Sequence, residues 1–153
     1  MEFTSIDDVV DFAIEKEREA ADFYRSAAGH EAAQANKSVF VEYADEEEKH
    51  EKMLKEFKAD KSAFDNYQFK KIQDIKRADY LMDMEYSPGM SYHEVMRLAM
   101  KREEKAYKLY QKMAGSADSD QLKNIFEILA NEELKHKSSL EGMYDDIVKE
   151  TGD

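Results

Sequence analysis

Two Glu-x-x-His motifs contain the residues of this chain best suited to chemistry. They are Glu47 with His50 and Glu133 with His136. In an α-helix this spacing places both side chains of a motif on one face, about 4.5 Å apart along the axis. Most other residues on each face are apolar or aromatic, and an ionised carboxylate avoids such surroundings unless it is paired or bound to a metal. Two such motifs therefore predict a shared metal site.

Two further acids lie inside apolar helix faces. Glu17 and Glu103 each have only apolar or aromatic neighbours three, four and seven residues away on either side. Glu15, by contrast, has mostly charged neighbours at these spacings, which is typical of a solvated helix face. The sequence thus predicts four carboxylates and two imidazoles in the core.

All six residues belong to an internal repeat with an offset of 86 residues, as from Glu47 to Glu133. The matched pairs include Ser5 and Ser91, Ala13 and Ala99, Glu17 and Glu103, Tyr24 and Tyr110, Phe40 and Phe126, Ala44 and Ala130, His50 and His136, and Leu54 and Leu140. Repeats of this kind usually pack as pseudo-symmetric halves, so we expect the two copies of each motif to face one another.

This repeat predicts an all-α protein, a four-helix bundle made of two helix pairs. We expect one domain over 1–153, with helix pairs at 5–58 and 91–149 joined by a long crossover at 59–90. Ser5 with Asp8, and Ser91 with Glu94, resemble capping boxes at the starts of the first and third helices. Phe69, Ile72 and Ile75 could form a short helix within the crossover.

The predicted residues have the charge and chemistry to hold two divalent cations. Four carboxylates would balance two such ions, with the histidines neutral. We expect Glu47 and Glu133 to bridge the ions, Glu17 and Glu103 to bind one ion each, and His50 and His136 to cap one ion each. Mixed carboxylate and imidazole ligands suit iron or manganese and tolerate zinc.

Five other residues could support these ligands. Glu46 and Glu132 could each accept a hydrogen bond from the outer nitrogen of the opposite imidazole, and the alternative is a solvent-facing glutamate. Tyr24, Tyr107 and Tyr110 could donate hydrogen bonds to the carboxylates, and the alternative is an aromatic core residue with its hydroxyl near the surface.

Composition excludes several classes of protein. The formal net charge of −12 argues against nucleic-acid binding, which needs clustered Lys and Arg. With no Cys, the chain has no disulfides, thiol catalysis or Cys-ligated iron. The N-terminus lacks the basic start and apolar run of a signal peptide, and no apolar stretch approaches the ~20 residues of a membrane span. We therefore expect a cytoplasmic protein with no membrane partner.

The sequence resembles the rubrerythrins of the ferritin-like superfamily over nearly its whole length. Glu17 to Tyr24 and Glu103 to Tyr110 resemble the E-x6-Y helices of that family, and the two Glu-x-x-His motifs resemble its other helix pair. The resemblance implies a ferritin-like bundle with a carboxylate-bridged di-iron centre that reduces hydrogen peroxide and, to some extent, dioxygen. It also implies the following iron ligands: Glu17, Glu47, His50, Glu103, Glu133 and His136.

Two departures from the family affect this interpretation. Typical rubrerythrins carry a rubredoxin domain with Cys-ligated iron, so here we expect a separate electron-donor protein. They also carry an extra carboxylate one turn after the third-helix ligand, where this chain has Ala106, and the matching first-helix residue is Ala20. The six-ligand set is therefore also similar to a ferroxidase centre. The alternatives are an iron-handling protein and a non-catalytic helical module, and a homodimer with exchanged helix pairs is compatible with the long crossover.

Overall fold

The described part of the chain contains four α-helices, as the sequence predicts. In the computed structural model, which describes residues 3–60, 74–82, 85–117 and 120–151, no strand occurs within these ranges. The helices are α1 (Ile6–Ala28), α2 (Lys37–Ala59), α3 (Tyr92–Gly115) and α4 (Asp120–Thr151). None of the described helices is both long enough and apolar enough to pass through a bilayer.

Serine caps begin the first helix of each pair, at the matched positions of the repeat. The Ser5 hydroxyl accepts a hydrogen bond from the Asp8 backbone N–H, and the Ser91 hydroxyl accepts one from the Glu94 backbone N–H, each at 3.2 Å. Each cap satisfies one of the backbone donors that a helix start leaves unpaired. Both predicted helix starts are therefore confirmed.

A 3₁₀-helix (Glu31–Asn36) connects α1 to α2, which begins at Lys37. His30 caps this tighter turn, accepting a hydrogen bond at Nδ1 from the Ala32 N–H at 3.0 Å. The Asn36 amide then donates to the hydroxyl of Tyr92 at 3.0 Å. These side-chain contacts hold the connection between α1 and α2 against the start of α3.

Two apolar clusters fill the two ends of the bundle and leave a polar layer between them. One cluster contains the early part of α1 and the ends of α2 and α3, with Phe12, Leu54 and Phe126 as large members. The other contains the end of α1 and the early parts of α2 and α3, with Phe40 and Met96. Helix α1 packs along α2, and α3 packs along α4. The predicted acids lie midway along these helices, between the clusters.

The described part of the crossover covers the α1/α3 side of the bundle. Ile75 is fully buried, and a 3₁₀-helix (Arg77–Tyr80) packs against α3. The Arg77 guanidinium lies over the ring of Phe12, 5.1 Å from its centroid. Two residues of the short helix expected here, Phe69 and Ile72, lie outside the described residues.

Candidate metal centre

The fold brings together the six acids and histidines that the sequence singles out. They form two overlapping clusters. Within each cluster, the ligand atoms lie within 4.8 Å of one another. One contains Glu17, Glu47, His50 and Glu133, and the other contains Glu47, Glu103, Glu133 and His136. Because Glu47 and Glu133 belong to both clusters, these two acids occupy the shared centre, where bridging ligands were expected. Each cluster also has one acid and one histidine of its own.

Each of the six side chains directs one atom inward that has no hydrogen-bond partner. The atoms are Glu17 Oε2, Glu47 Oε1, His50 Nδ1, Glu103 Oε2, Glu133 Oε1 and His136 Nδ1. His50 Nδ1 lies 3.4, 3.4 and 3.2 Å from oxygens of Glu17, Glu47 and Glu133 respectively. All six side chains are 1–4% exposed, so water does not satisfy these atoms from bulk solvent. Convergent unpartnered donors of this kind are expected where a cation completes the arrangement.

The outer nitrogens of both imidazoles contact glutamates of the opposite helix pair. Nε2 of His50 hydrogen-bonds Glu132, and Nε2 of His136 hydrogen-bonds Glu46. The contact expected from the sequence is thus present in both copies. A carboxylate acceptor at Nε2 keeps a proton there, so the neutral imidazole would present the Nδ1 lone pair to a metal ion in the centre.

The tyrosines of α1 and α3 exchange partners between the two halves. The Tyr24 hydroxyl donates to Glu103, and the Tyr110 hydroxyl donates to Oε1 of Glu17 at 2.5 Å. Burial, and then the neighbouring carboxylate charges, hold the pKa of each phenol well above its usual value, so each hydroxyl remains a donor. Both tyrosines were expected to donate to the carboxylates, but their crosswise pairing follows only from packing α1 beside α3.

Tyr107 differs from this expectation. Its hydroxyl accepts a hydrogen bond from the Gln111 amide at 2.7 Å and lies toward the outer surface of α3. Tyr107 lies one helical turn from Glu103, on the edge of the inward face of α3, and its side chain is only partly buried. It lines a surface groove between α3 and α4, and we therefore withdraw it as a candidate supporting residue.

Electrostatics in the metal-free centre favour protonation. Burial raises the pKa of Glu47 and of Glu133 well above the usual value, and the charges of Glu17 and Glu103 raise both further. Burial lowers the pKa of His136, but interactions with Glu103 and Glu133 outweigh it and raise that pKa to about 10. Burial likewise lowers the pKa of His50, but its contacts with the neighbouring glutamates outweigh burial and raise that pKa. Without a cation, protons must therefore offset the charge of the clustered acids.

The residues present fit two divalent cations better than they fit protons. Two such ions would bring four positive charges to four carboxylates, and two neutral imidazoles would offer Nδ1 lone pairs. The donor set is oxygen with nitrogen and contains no thiolate, which favours iron, manganese or zinc. The buried Glu and His cluster thus has the composition of a metal-binding site.

The two sides of the centre differ in access. A cavity of about 30 Å³ lies on the α1/α3 side, and we call it the site cavity. Its lining includes Glu17 and Glu103, the alanines Ala20 and Ala106, and Tyr80 of the crossover. On the other side, an open groove between α2 and α4 exposes the edges of the imidazoles and their glutamate partners. We call it the α2/α4 groove.

Sequence reasoning missed Tyr43, which lies in ring contact with the centre. Its ring stacks on the imidazole of His136, with centroids 4.1 Å apart and an interplanar angle of 24°. The sequence contains a signal for Tyr43, which lies four residues before Glu47: the matched residue of the repeat is Leu129, so the two halves differ at this position.

Comparison with known proteins adds one match. The Rubrerythrin family model matches residues 94–152, which hold most of α3 and all of the described α4. The matched part contains Glu103, Glu133 and His136, and the internal repeat gives the other helix pair the corresponding residues. No curated protein and no solved structure matches the chain.

Proposed function

We propose that this chain, a rubrerythrin-like protein, binds two iron ions between its helix pairs and reduces hydrogen peroxide with electrons from an external donor. The observation that carries the proposal is the set of six inward donor atoms without hydrogen-bond partners, divided into two clusters that share two acids. Glu47 and Glu133 would hold both ions. Glu17 with His50 and Glu103 with His136 would each complete one position.

When bound, the ions would supply one electron each, and with two protons these electrons convert one peroxide molecule to two water molecules. The protein would contribute charge balance and orientation. Tyr24 and Tyr110 would hold the outer oxygens of Glu103 and Glu17, leaving one oxygen of each acid directed inward. The glutamates at Nε2 would fix both imidazoles in the tautomer that presents Nδ1.

The site cavity supports a small neutral substrate. Its volume of about 30 Å³ has room for roughly two water molecules, which is the size of peroxide or dioxygen. Ala20 and Ala106 create this space, since a longer side chain at either position would occupy it. Phe12 and Leu109 add apolar surface to a lining that also contains Lys16, Arg102 and Lys105, and its small volume excludes larger molecules.

The absent carboxylate at Ala106 favours a second candidate, an iron-handling protein whose centre oxidises iron with dioxygen. Both candidates use the same six ligands, so only their reactions separate them. The peroxidase predicts that the iron(II) form reacts faster with peroxide than with dioxygen. The iron-handling protein predicts the reverse order, together with release or exchange of the oxidised iron.

Anaerobic iron titration followed by stopped-flow mixing tests the proposal. We expect two iron(II) ions per chain and oxidation within seconds of adding peroxide. Glu17→Ala should remove at least one ion, whereas Glu15→Ala, an exposed change two residues away on the same helix, should bind two. Fewer than two ions in the unmodified chain would contradict the site, and no oxidation by peroxide within seconds would contradict the activity.

A further inference from the structure

One ring contact breaks the symmetry of the centre. Tyr43 stacks face to face on His136, and Tyr24 packs edge-on behind Tyr43 with centroids 5.4 Å apart. Tyr43 is 7% exposed, so the stacked pair is almost wholly removed from water. The imidazole of His136 is therefore held by a hydrogen bond at Nε2 and by an aromatic face.

The matched position beside the other histidine lacks an aromatic ring. The offset of 86 residues that pairs Ala44 with Ala130 pairs Tyr43 with Leu129. Leu129 is fully buried and contributes aliphatic packing. The two positions therefore differ in the group that the repeat supplies next to each imidazole.

The polar contacts of the two imidazoles are closely matched, although the ring of Tyr24 also packs edge-on against His136 with centroids 6.5 Å apart. Each directs Nδ1 inward, each hydrogen-bonds a glutamate of the opposite pair at Nε2, and each shares Glu47 and Glu133. The terminal acids are matched too, because each accepts a hydrogen bond from a buried tyrosine. The exchange of Tyr43 for Leu129 thus changes the chemistry next to the imidazoles between the two halves.

We propose that Tyr43 is a positioning residue that strengthens the metal position served by His136 and makes the two positions unequal. An imidazole bound to a divalent ion carries partial positive charge, and an aromatic face attracts positive charge. The stacked ring also restricts rotation of the imidazole, so less freedom is lost when Nδ1 binds the ion. This inference rests on the proposed dinuclear site.

Zinc titration followed by ¹⁵N NMR of the histidines tests the inference without any reaction. The chain has only four histidines, and zinc at Nδ1 shifts the ring nitrogens of each ligand separately. The measured quantity is the ratio of zinc occupancy at His136 to that at His50 below saturation. Tyr43→Leu should lower this ratio roughly two- to tenfold, which is the range for one aromatic contact.

Two matched variants complete the experiment. Leu129→Tyr, in a chain that keeps Tyr43, should lower the same ratio by strengthening the His50 position. Tyr43→Phe keeps the ring and should leave the ratio unchanged, which also provides a conservative variant if Tyr43→Leu does not fold. An unchanged ratio in both Tyr43→Leu and Leu129→Tyr, or equal filling in every variant, overturns the inference. Binding of fewer than two zinc ions would instead overturn the dinuclear site on which it rests.

Discussion

The two sides of the metal centre are built for different tasks. On the α2/α4 side, side chains fill the space next to the centre, since both imidazoles contact glutamates there and Tyr43 stacks on one of them. On the α1/α3 side, two alanines leave a cavity beside the terminal acids, and the crossover covers it. The open groove, with a volume of about 530 Å³, therefore leads to well-held ligands, while the α1/α3 side has a small cavity of about 30 Å³ beside the terminal acids.

This difference separates rigidity from access. Ligands that are fixed by hydrogen bonds and stacking keep their geometry while charge changes at the centre. A small cavity with apolar walls next to the same centre can admit a diatomic-sized molecule and exclude larger ones. We therefore expect substitutions on the α2/α4 side to change metal affinity, and those on the α1/α3 side to change reactivity.

Removing an acid that belongs to both ligand clusters should have the largest effect. Glu47→Ala takes a ligand from both clusters, so we expect loss of both ions, whereas Glu17→Ala removes a ligand from one cluster and should leave one ion bound. Metal analysis after anaerobic loading and desalting measures the stoichiometry. Glu48→Ala, an exposed change at the adjacent residue, should retain two ions. If the Glu47 and Glu17 variants both retain one ion, Glu47 serves only one of the two metal positions.

Replacing a glutamate that supports an imidazole on the α2/α4 side should have the second largest effect. Glu132→Gln replaces the carboxylate at Nε2 of His50 with a neutral amide, and loss of such a partner typically lowers metal affinity about 10- to 100-fold. Competition with a chelator measures the change. Glu46→Gln, the matched variant at His136, should behave alike. If both variants bind metal as the unmodified chain does, these glutamates do not orient the imidazoles.

Filling the site cavity should separate reactivity from binding. Ala20→Leu adds three carbons beside the centre and should slow oxidation by peroxide about tenfold or more, since a displacement near 1 Å can cost ~100-fold. The two ions should still bind. Lys49→Leu, which places a leucine in the α2/α4 groove without filling the site cavity, should react at the original rate. Slower oxidation in the groove variant and not in the cavity variant would reverse our assignment of the two sides.

A change in pH should affect the stability of the metal-free protein and of the metal-loaded protein in opposite directions. Because the folded-state pKa values of Glu47, Glu133, His50 and His136 are raised, the metal-free fold binds more protons than the unfolded chain. The contribution of these four groups to its stability is therefore complete below the usual glutamate pKa of 4.5 and declines as pH rises. In the loaded protein protons compete with the metal, so stability should rise with pH.

Thermal unfolding at pH 5 and pH 8 measures this reversal. The melting temperature of the metal-free protein should fall by about 3–8 °C over this range, which corresponds to roughly 1–2 kcal/mol for a domain of this size. The loaded protein should show the opposite sign. Parallel shifts in the two forms would mean that ionisation of the centre does not control the stability of the metal-free fold.

Much of this centre could be predicted because it depends on local periodicity and on the repeat. The spacing of Glu47 and His50 places them on one helix face whatever the tertiary structure, and the constant offset supplies the other half. The partner of Tyr110 could not be predicted, because it depends on how far α3 lies from α1. Likewise, the stacking of Tyr43 on His136 joins residues 93 positions apart, and only packing brings them together.

The crosswise tyrosine contacts should have the smallest effect of those considered. Tyr110→Phe removes the donor to Oε1 of Glu17, and a hydrogen bond to a charged group contributes about 1.5–3 kcal/mol at most. A water molecule that replaced the hydroxyl would recover part of this, so we expect metal affinity to fall only about three- to tenfold. Calorimetric zinc titration measures it.

Tyr107→Phe is the matched control, since it makes the same change on the same helix but removes a contact with Gln111. It should leave metal affinity unchanged. If the two variants bind zinc equally well, the α1/α3 side contributes space but no support to the ligands, and the ions are held from the α2/α4 side and the shared acids. If Tyr110→Phe alone weakens binding, the wall of the site cavity also holds a ligand, and the division between access and rigidity lies within α3, between Ala106 and Tyr110.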